Sequence, residues 1–376
     1  MQKFITFFKQ ETVLCIACIL AVISSFFVPP DAQYLGYVDF RTLGLLFCLM
    51  AVMAGLQEIG VFRKLAQGML SKVHNMRQLV PILILLCFLS SMLMTNDVAL
   101  ITFVPFTFIV LGLAGEGEKH KHMIPVVVMQ TIAANLGSMF TPIGNPQNLY
   151  LYGISGMPLG EFLLLMLPYT AVSGVLLVLW SVWYTRKETA AFTVDFSEQS
   201  APVSRRKLIV YLILFALSLL TVARLIDWRI TLAVVLLAVM LTDRRVLCKV
   251  DYSLLLTFVG FFVFIGNMGR IPVFRDFLES MIAGHEVLTA VLSSQVISNV
   301  PAALLLSGFT EEYAALIVGT NLGGLGTLIA SMASLISFKC IGKERTGIKG
   351  RYLLYFTAAN LAFLAVLMAL HYLLIA

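Results

Sequence analysis

Charge is what this sequence has least of. Of 376 residues, 12 % are Asp, Glu, Lys or Arg, about half the share in a soluble domain. Hydrophobic residues make up 60 % and the mean hydropathy is +0.94. That balance excludes a soluble domain and defines an all-α polytopic membrane protein. The net charge of +6 is therefore no nucleic-acid footprint. Cysteine is scarce too. Cys15, Cys18, Cys48, Cys87, Cys248 and Cys340 lie in or beside apolar runs without paired ligand spacing, which fits small, soft core residues better than a metal site. Catalytic constellations are missing: there is no H-E-x-x-H and no Ser/Lys pair in the apolar core, so a membrane enzyme is disfavoured. No cofactor is expected beyond Na⁺ as a coupling ion.

What is present is polar residues in the wrong place for a plain membrane helix. Residues 130–150, QTIAANLGSMFTPIGNPQNLY, lie within sequence apolar enough to enter a bilayer. A helix broken there leaves N–H and C=O groups that lipid cannot satisfy, so they must line a protein-buried or wet cavity. Pro142 and Gly144 end a first half-helix. Asn145 is a good N-cap, and Pro146 at the first helical position starts a second. Two half-helices whose ends face each other near mid-membrane are the arrangement in which secondary transporters hold substrates and ions.

Along the chain, residues 12–28 and 40–56 read as crossings and 57–72 as an amphipathic interfacial piece. Residues 79–113 are apolar except at Thr95-Asn96-Asp97. They form either two crossings or a re-entrant hairpin; the short arms and the unneutralised carboxylate at the turn favour the hairpin. Residues 115–122 read as a charged loop, 123–154 as the broken crossing, and 161–184 as a clean helix. The stretch 188–207 is the one long polar linker. Crossings follow at 208–222, 230–241 and 252–267, with an amphipathic piece at 270–281. A second hairpin (286–309) is apolar except at Ser298-Asn299. A second broken helix (314–338) is interrupted at GTNLGGLGT, and 352–375 closes the chain.

The halves repeat. Residues 39–63 align with 251–275 without a gap, sharing Asp39/Asp251, Leu43/Leu255, Ile59/Ile271 and a closing Val-Phe-Arg. Thr95-Asn96-Asp97 then matches Ser298-Asn299-Val300, and Asn135-Leu136-Gly137 matches Asn321-Leu322-Gly323 with Thr141 over Thr327. The units are residues 1–187, a connection at 188–228, and 229–376. Five crossings precede the second unit, an odd number, so it enters the membrane upside down, as an inverted repeat. With the N-terminus cytoplasmic and the C-terminus outside, 21 of the 26 Lys and Arg residues lie inside, as the positive-inside rule requires of a cytoplasmic-membrane protein.

The two tips and two breaks would meet near the centre. Thr95, Asn96, Thr141, Asn145, Asn148, Ser298, Asn299, Thr327 and Ser331 are the candidate substrate contacts. Half-helix N-termini after Asp97, Asn145 and Ser298 add partial positive charge. Carbonyls around Asn135, Gly137 and Ser138, and around Asn321 and Gly323, would serve a cation, together with Asn96, Asn299 and Asp97. No Lys or Arg lies there. Asp97 is the one central carboxylate, and an ionisable residue inside a membrane reads as functional: it could bind Na⁺ or carry a proton. His120-Lys121-His122 could catch metal, but reads as a solvated loop.

The motif TNDVAL at 95–100, followed by Pro105, resembles the hairpin motif of arsenite permeases. GSMFTPIGNPQN at 137–148 is similar to the broken-helix motif of divalent anion–sodium symporters. Both groups belong to the ion transporter superfamily, and the resemblance extends over essentially the whole chain. It implies two inverted repeats, a scaffold–transport division, a homodimer and an elevator motion. It also implies substrate contacts at Thr95-Asn96 and Ser298-Asn299, and coupling cations at 137–141 and 323–327. Asp97 and Val300 stand where the symporters carry a hydroxyl. A fixed negative charge there disfavours citrate or succinate and points to the arsenite-permease or sodium/proton-antiporter branches. The expectation is a secondary transporter for a small anion or oxyanion coupled to H⁺ or Na⁺. A sodium/proton antiporter is the closest rival and a channel a more distant one.

Overall fold

The computed structural model describes residues 11–70, 73–188, 203–345 and 347–375. Residues 1–10 of the expected cytoplasmic head and 189–202 of the expected linker lie outside these. Among the described residues there are eighteen α-helices, one 3-10 helix and no strand.

In the first half, α1 (Thr12–Phe27), a short α2 (Tyr34–Tyr37) and α3 (Phe40–Glu58) precede the amphipathic α4 (Val61–Leu70). Then come α5 (Met76–Ser90), α6 (Asn96–Leu113), α7 (Glu116–Ser138), α8 (Pro146–Ser155) and α9 (Leu159–Thr185). The second half has α10 (Arg205–Val222), α11 (Trp228–Asp243), the 3-10 turn Arg244–Lys249, α12 (Tyr252–Gly269) and the amphipathic α13 (Pro272–Ile282). It closes with α14 (Glu286–Ile297), α15 (Asn299–Ser307), α16 (Tyr313–Leu322), α17 (Met332–Glu344) and α18 (Lys349–Ile375). The helices α3, α6, α9, α12 and α18 are each long and apolar enough to cross a bilayer.

Local chemistry places the boundaries. Asp39 caps α3 by accepting from Thr42 N–H at 3.1 Å, and Asp251 caps α12 by accepting from Leu254 N–H at 2.9 Å. These aligned carboxylates each satisfy an orphan donor of a first turn. Asn145 accepts from Asn148 N–H at 3.0 Å with Pro146 at the first helical position, as the sequence led us to expect. Residues 115–122 are a correction. They are not a loop: α7 begins at Glu116, launched by Gly115 at φ +117°. Glu116 and Glu118 lie in its first turn, where negative charge suits the helix dipole.

The second hairpin is short. Its arms α14 and α15 have 12 and 9 residues, about 18 and 14 Å at the α-helical rise, against a hydrocarbon core of about 30 Å. Two groups of helices emerge from the packing. Helices α1 and α12 pair, as do α3 and α11, so each contact joins one half to the other. Helices α5, α6 and α7 pack together, α14 lies on α15 and α16, and α17 closes against α6 and α7.

Candidate functional site

Each hairpin turn is fastened to the break of its own half in the same manner. Asn96 N–H donates to Gly144 C=O at 3.1 Å, and Asn299 N–H donates to Ala330 C=O at 3.0 Å. Thr141 Oγ1 donates to Met92 C=O at 2.5 Å and Thr327 Oγ1 to Gln295 C=O at 3.2 Å. The sequence alignment paired these residues, and the hydrogen bonds pair them independently. The turns differ in conformation: Ser298 sits at φ +74°, whereas Thr95 is extended.

Side-chain amides then bond first within the first half and then across the halves. Asn96 Nδ2 donates to Asn135 Oδ1 at 3.0 Å. Ser331 Oγ donates to the same oxygen at 3.0 Å, and Asn135 Nδ2 donates to Gly324 C=O at 3.4 Å. Reciprocally, Asn145 Nδ2 donates to Asn321 Oδ1 at 3.0 Å, and Asn321 Nδ2 donates to Asn148 Oδ1 at 2.6 Å. The N-cap of each second half-helix thus binds the asparagine on the broken helix of the other half. Asn135, Asn145, Asn148, Asn321 and Ser331 are all buried, as are Asn96, Ser138, Ser298 and Asn299. Thr95, Asp97, Thr141 and Thr327 are half-buried.

Two glycines expected at the cation positions have a packing duty. A Cβ on Gly137 would stand 2.1 Å from the Phe88 carbonyl oxygen, and one on Gly323 would stand 2.6 Å from Ser294 Oγ. Each lets a hairpin arm lie directly on the broken helix.

Three polar atoms in this region have no hydrogen-bond partner among the described residues: Nε2 and Oε1 of Gln147, and Oγ of Ser334. Gln147 is the second residue of α8 and Ser334 the third of α17. Leaving such groups unpaired costs about 1–3 kcal/mol each. The Asp97 carboxylate likewise makes no hydrogen bond or ion pair among the described residues; its own N–H donates to Asn96 Oδ1 at 2.9 Å. No Lys, Arg, Asp or Glu is fully buried among the described residues, so the centre is built from neutral amides and hydroxyls with Asp97 at its margin.

Sequence reasoning missed Gln295. Its Nε2 donates to Gly323 and Leu325 C=O at 3.0 and 2.9 Å, and its Oε1 accepts from Thr327 N–H at 2.8 Å. It satisfies the backbone exposed by the second break. The signal was the one amide side chain of that arm, four residues before the turn's Asn299. His122 is a second correction: it is not in a solvated loop but fully buried, beside Tyr184 and Glu118.

A crevice of about 640 Å³ opens between α3, α4 and α6. Thr102, Pro105 and Ile109 line it at helical spacing along α6, on the face that carries Val98 next to Asp97.

Apolar spanning helices around a buried, broken-helix polar centre define a multi-pass membrane transporter. The chain belongs to the citrate transporter family, whose model matches residues 4–333. It is 33 % identical over 313 residues to an uncharacterised transporter of Methanocaldococcus jannaschii, covering 82 % of this chain and 84 % of that protein. It is 30 % identical over 330 residues to the inner membrane protein YbiR of Escherichia coli, covering 85 % of each. Over 131 residues, 35 % of this chain and 26 % of the relative, it is 36 % identical to a silicon efflux transporter of Oryza sativa.

Proposed function

We propose that this protein is a secondary active transporter that moves a small anion or oxyanion across the cytoplasmic membrane, coupled to H⁺ or Na⁺. The observation that carries this reading is the crossed pairing at the two helix breaks, Ser331 with Asn135 and Asn145 with Asn321. Beside it, Gln147 and Ser334 carry buried polar atoms without a partner among the described residues. Half-helix N-termini supply partial positive charge for an anionic solute without a buried Lys or Arg. The two halves act as an inverted repeat, so the same joints serve alternately as the inner and outer gate. The hairpins are re-entrant, the transporting group slides against the α1–α3–α11–α12 scaffold, and a homodimer holds the scaffold in place. The N-terminus is cytoplasmic and the C-terminus outside.

Asp97 is the coupling group. A fixed carboxylate beside the substrate position repels a multiply charged solute unless it is protonated or paired with Na⁺. This favours small oxyanions over tricarboxylates, in line with the silicon-transporting relative. The test is uptake into proteoliposomes of arsenite, silicate, phosphate, sulfate and dicarboxylates under imposed pH or Na⁺ gradients. One solute should accumulate against its gradient, and Asp97→Asn should abolish accumulation while sparing downhill movement. Unchanged pH and Na⁺ dependence in Asp97→Asn would refute the coupling role.

A further inference from the structure

Away from the central site, Glu118, His122 and Glu188 each offer one donor atom, and these atoms lie within 4.8 Å of one another. We propose that they form a binding site for a divalent transition ion, Zn²⁺ or a close analogue, unconnected with the substrate pathway. His122 Nε2 stands 3.0 Å from Glu118 Oε2 and 3.8 Å from Glu188 Oε2. A tetrahedral ion with bonds of about 2.0–2.2 Å needs donors about 3.3–3.5 Å apart, so the observed separations bracket the requirement. Small side-chain rotations are enough.

The far side of the imidazole is already prepared. His122 Nδ1 is 2.9 Å from Tyr184 Oη, and the Tyr184 ring meets it edge-on with centroids 5.5 Å apart. A ligating histidine is regularly oriented by such a bond at its other nitrogen, which leaves Nε2 to the metal. The ring is fully buried, whereas the Glu118 side chain is 31 % exposed. The protein therefore closes three sides and leaves the fourth to water. The two residues from α7 are spaced i, i+4, which puts both on one face. Glu188 comes from just after α9, so an ion here would tie α7 to the start of the segment that joins the halves.

One cation already competes. Lys121 Nζ, on a side chain 52 % exposed, contacts both oxygens of Glu188 at 2.7 and 2.8 Å. Binding must displace this ammonium toward solvent. The neighbouring Lys119 is engaged with Glu344 and Glu116 and does not face the site. That competition gives a signature that a purely structural cluster lacks.

The experiment is Zn²⁺ titration calorimetry and Co²⁺ absorption spectroscopy on the full-length, tag-free protein in detergent after chelation. Wild type should bind one ion per chain, with Co²⁺ spectra of nitrogen and oxygen ligation. His122→Gln should weaken binding at least 100-fold, and Glu118→Gln at least tenfold. Lys121→Gln, at an exposed position that leaves folding intact, should tighten binding about threefold or more. Absence of saturable binding, retention of wild-type affinity in His122→Gln, thiolate charge-transfer bands, or unchanged or weaker affinity in Lys121→Gln would each overturn the assignment.

Discussion

At the residue scale, the polar centre separates groups that hold the fold from groups held ready. Asn321 is fully committed: it accepts from Asn145 and donates to Asn148 Oδ1 and Ile317 C=O. Asn321→Ala strands two buried partners, at about 1–3 kcal/mol for each one left unpaired, so a fall of several degrees in Tm should accompany loss of transport. Ser334 contrasts with it, because its hydroxyl bonds nothing among the described residues. Ser334→Ala removes that unpaired group and should raise stability, by up to about 1–3 kcal/mol, while weakening substrate-induced thermal stabilisation. Equal destabilisation by the two variants would show that the unpaired hydroxyl has no role in binding. A different residue gives a pH test. Arg270 Nη1 donates to Asp31 at 2.8 Å, and this bond, helped by Gln33 N–H, holds the carboxyl below its ordinary value of 3.8. A depressed folded value adds stability that is present above the unfolded value and lost as pH falls through the folded one. The Tm difference between wild type and Asp31→Asn should therefore be full near pH 6 and close as the pH drops below about 4.

At the element scale, the arms of the hairpins and the broken helices touch through missing side chains. Gly137→Ala drives a methyl into the Phe88 carbonyl on α5, and overpacking of this kind costs about 1–3 kcal/mol. Gly160→Ala in α9 meets no atom within 4 Å and should be neutral or slightly stabilising. Thermal unfolding of the two variants measures the difference. The first break was legible in the sequence because Pro142, Gly144, Asn145 and Pro146 are turn and cap chemistry inside an apolar run. Asp39 and Asp251 stood out in the sequence only as matching positions of the repeat; that each caps a helix is seen in the structure. What could not be read was anything that depends on partners far along the chain. Nothing near Gln295 says that it will close the break around Thr327. Nothing near His122 says that Tyr184 will cover it, so a charged stretch that starts a helix looked like a loop. The asparagines stood out individually, but their crossing between halves is a property of the assembled fold.

At the scale of the whole molecule, the packing sorts the helices into two groups, and the proposed elevator cycle would slide one against the other. The pairs α1–α12 and α3–α11 each join the two halves, which makes one scaffold from both. The crossings at the two breaks join the second group from both halves in the same way, and in the proposed cycle that group is the one that carries substrate. Few polar contacts bridge the two groups. One is Gln57 Nε2 donating to Thr102 Oγ1 at 3.3 Å, from α3 to α6, beside the crevice that both residues line. In an elevator cycle α6 moves past α3 and this contact must break. We therefore predict that cysteines at 57 and 102, in a protein with its native cysteines replaced, will stop transport when bridged by Hg²⁺ or a short bismaleimide. Substrate-induced thermal stabilisation should survive, because the asparagine centre moves as one body. Thiol reductant should restore transport in the mercury-bridged form, and either single cysteine should be insensitive. Full transport by the bridged protein, with cross-linking verified by mass spectrometry, would mean that α6 does not slide past α3, and the elevator mechanism would have to be abandoned.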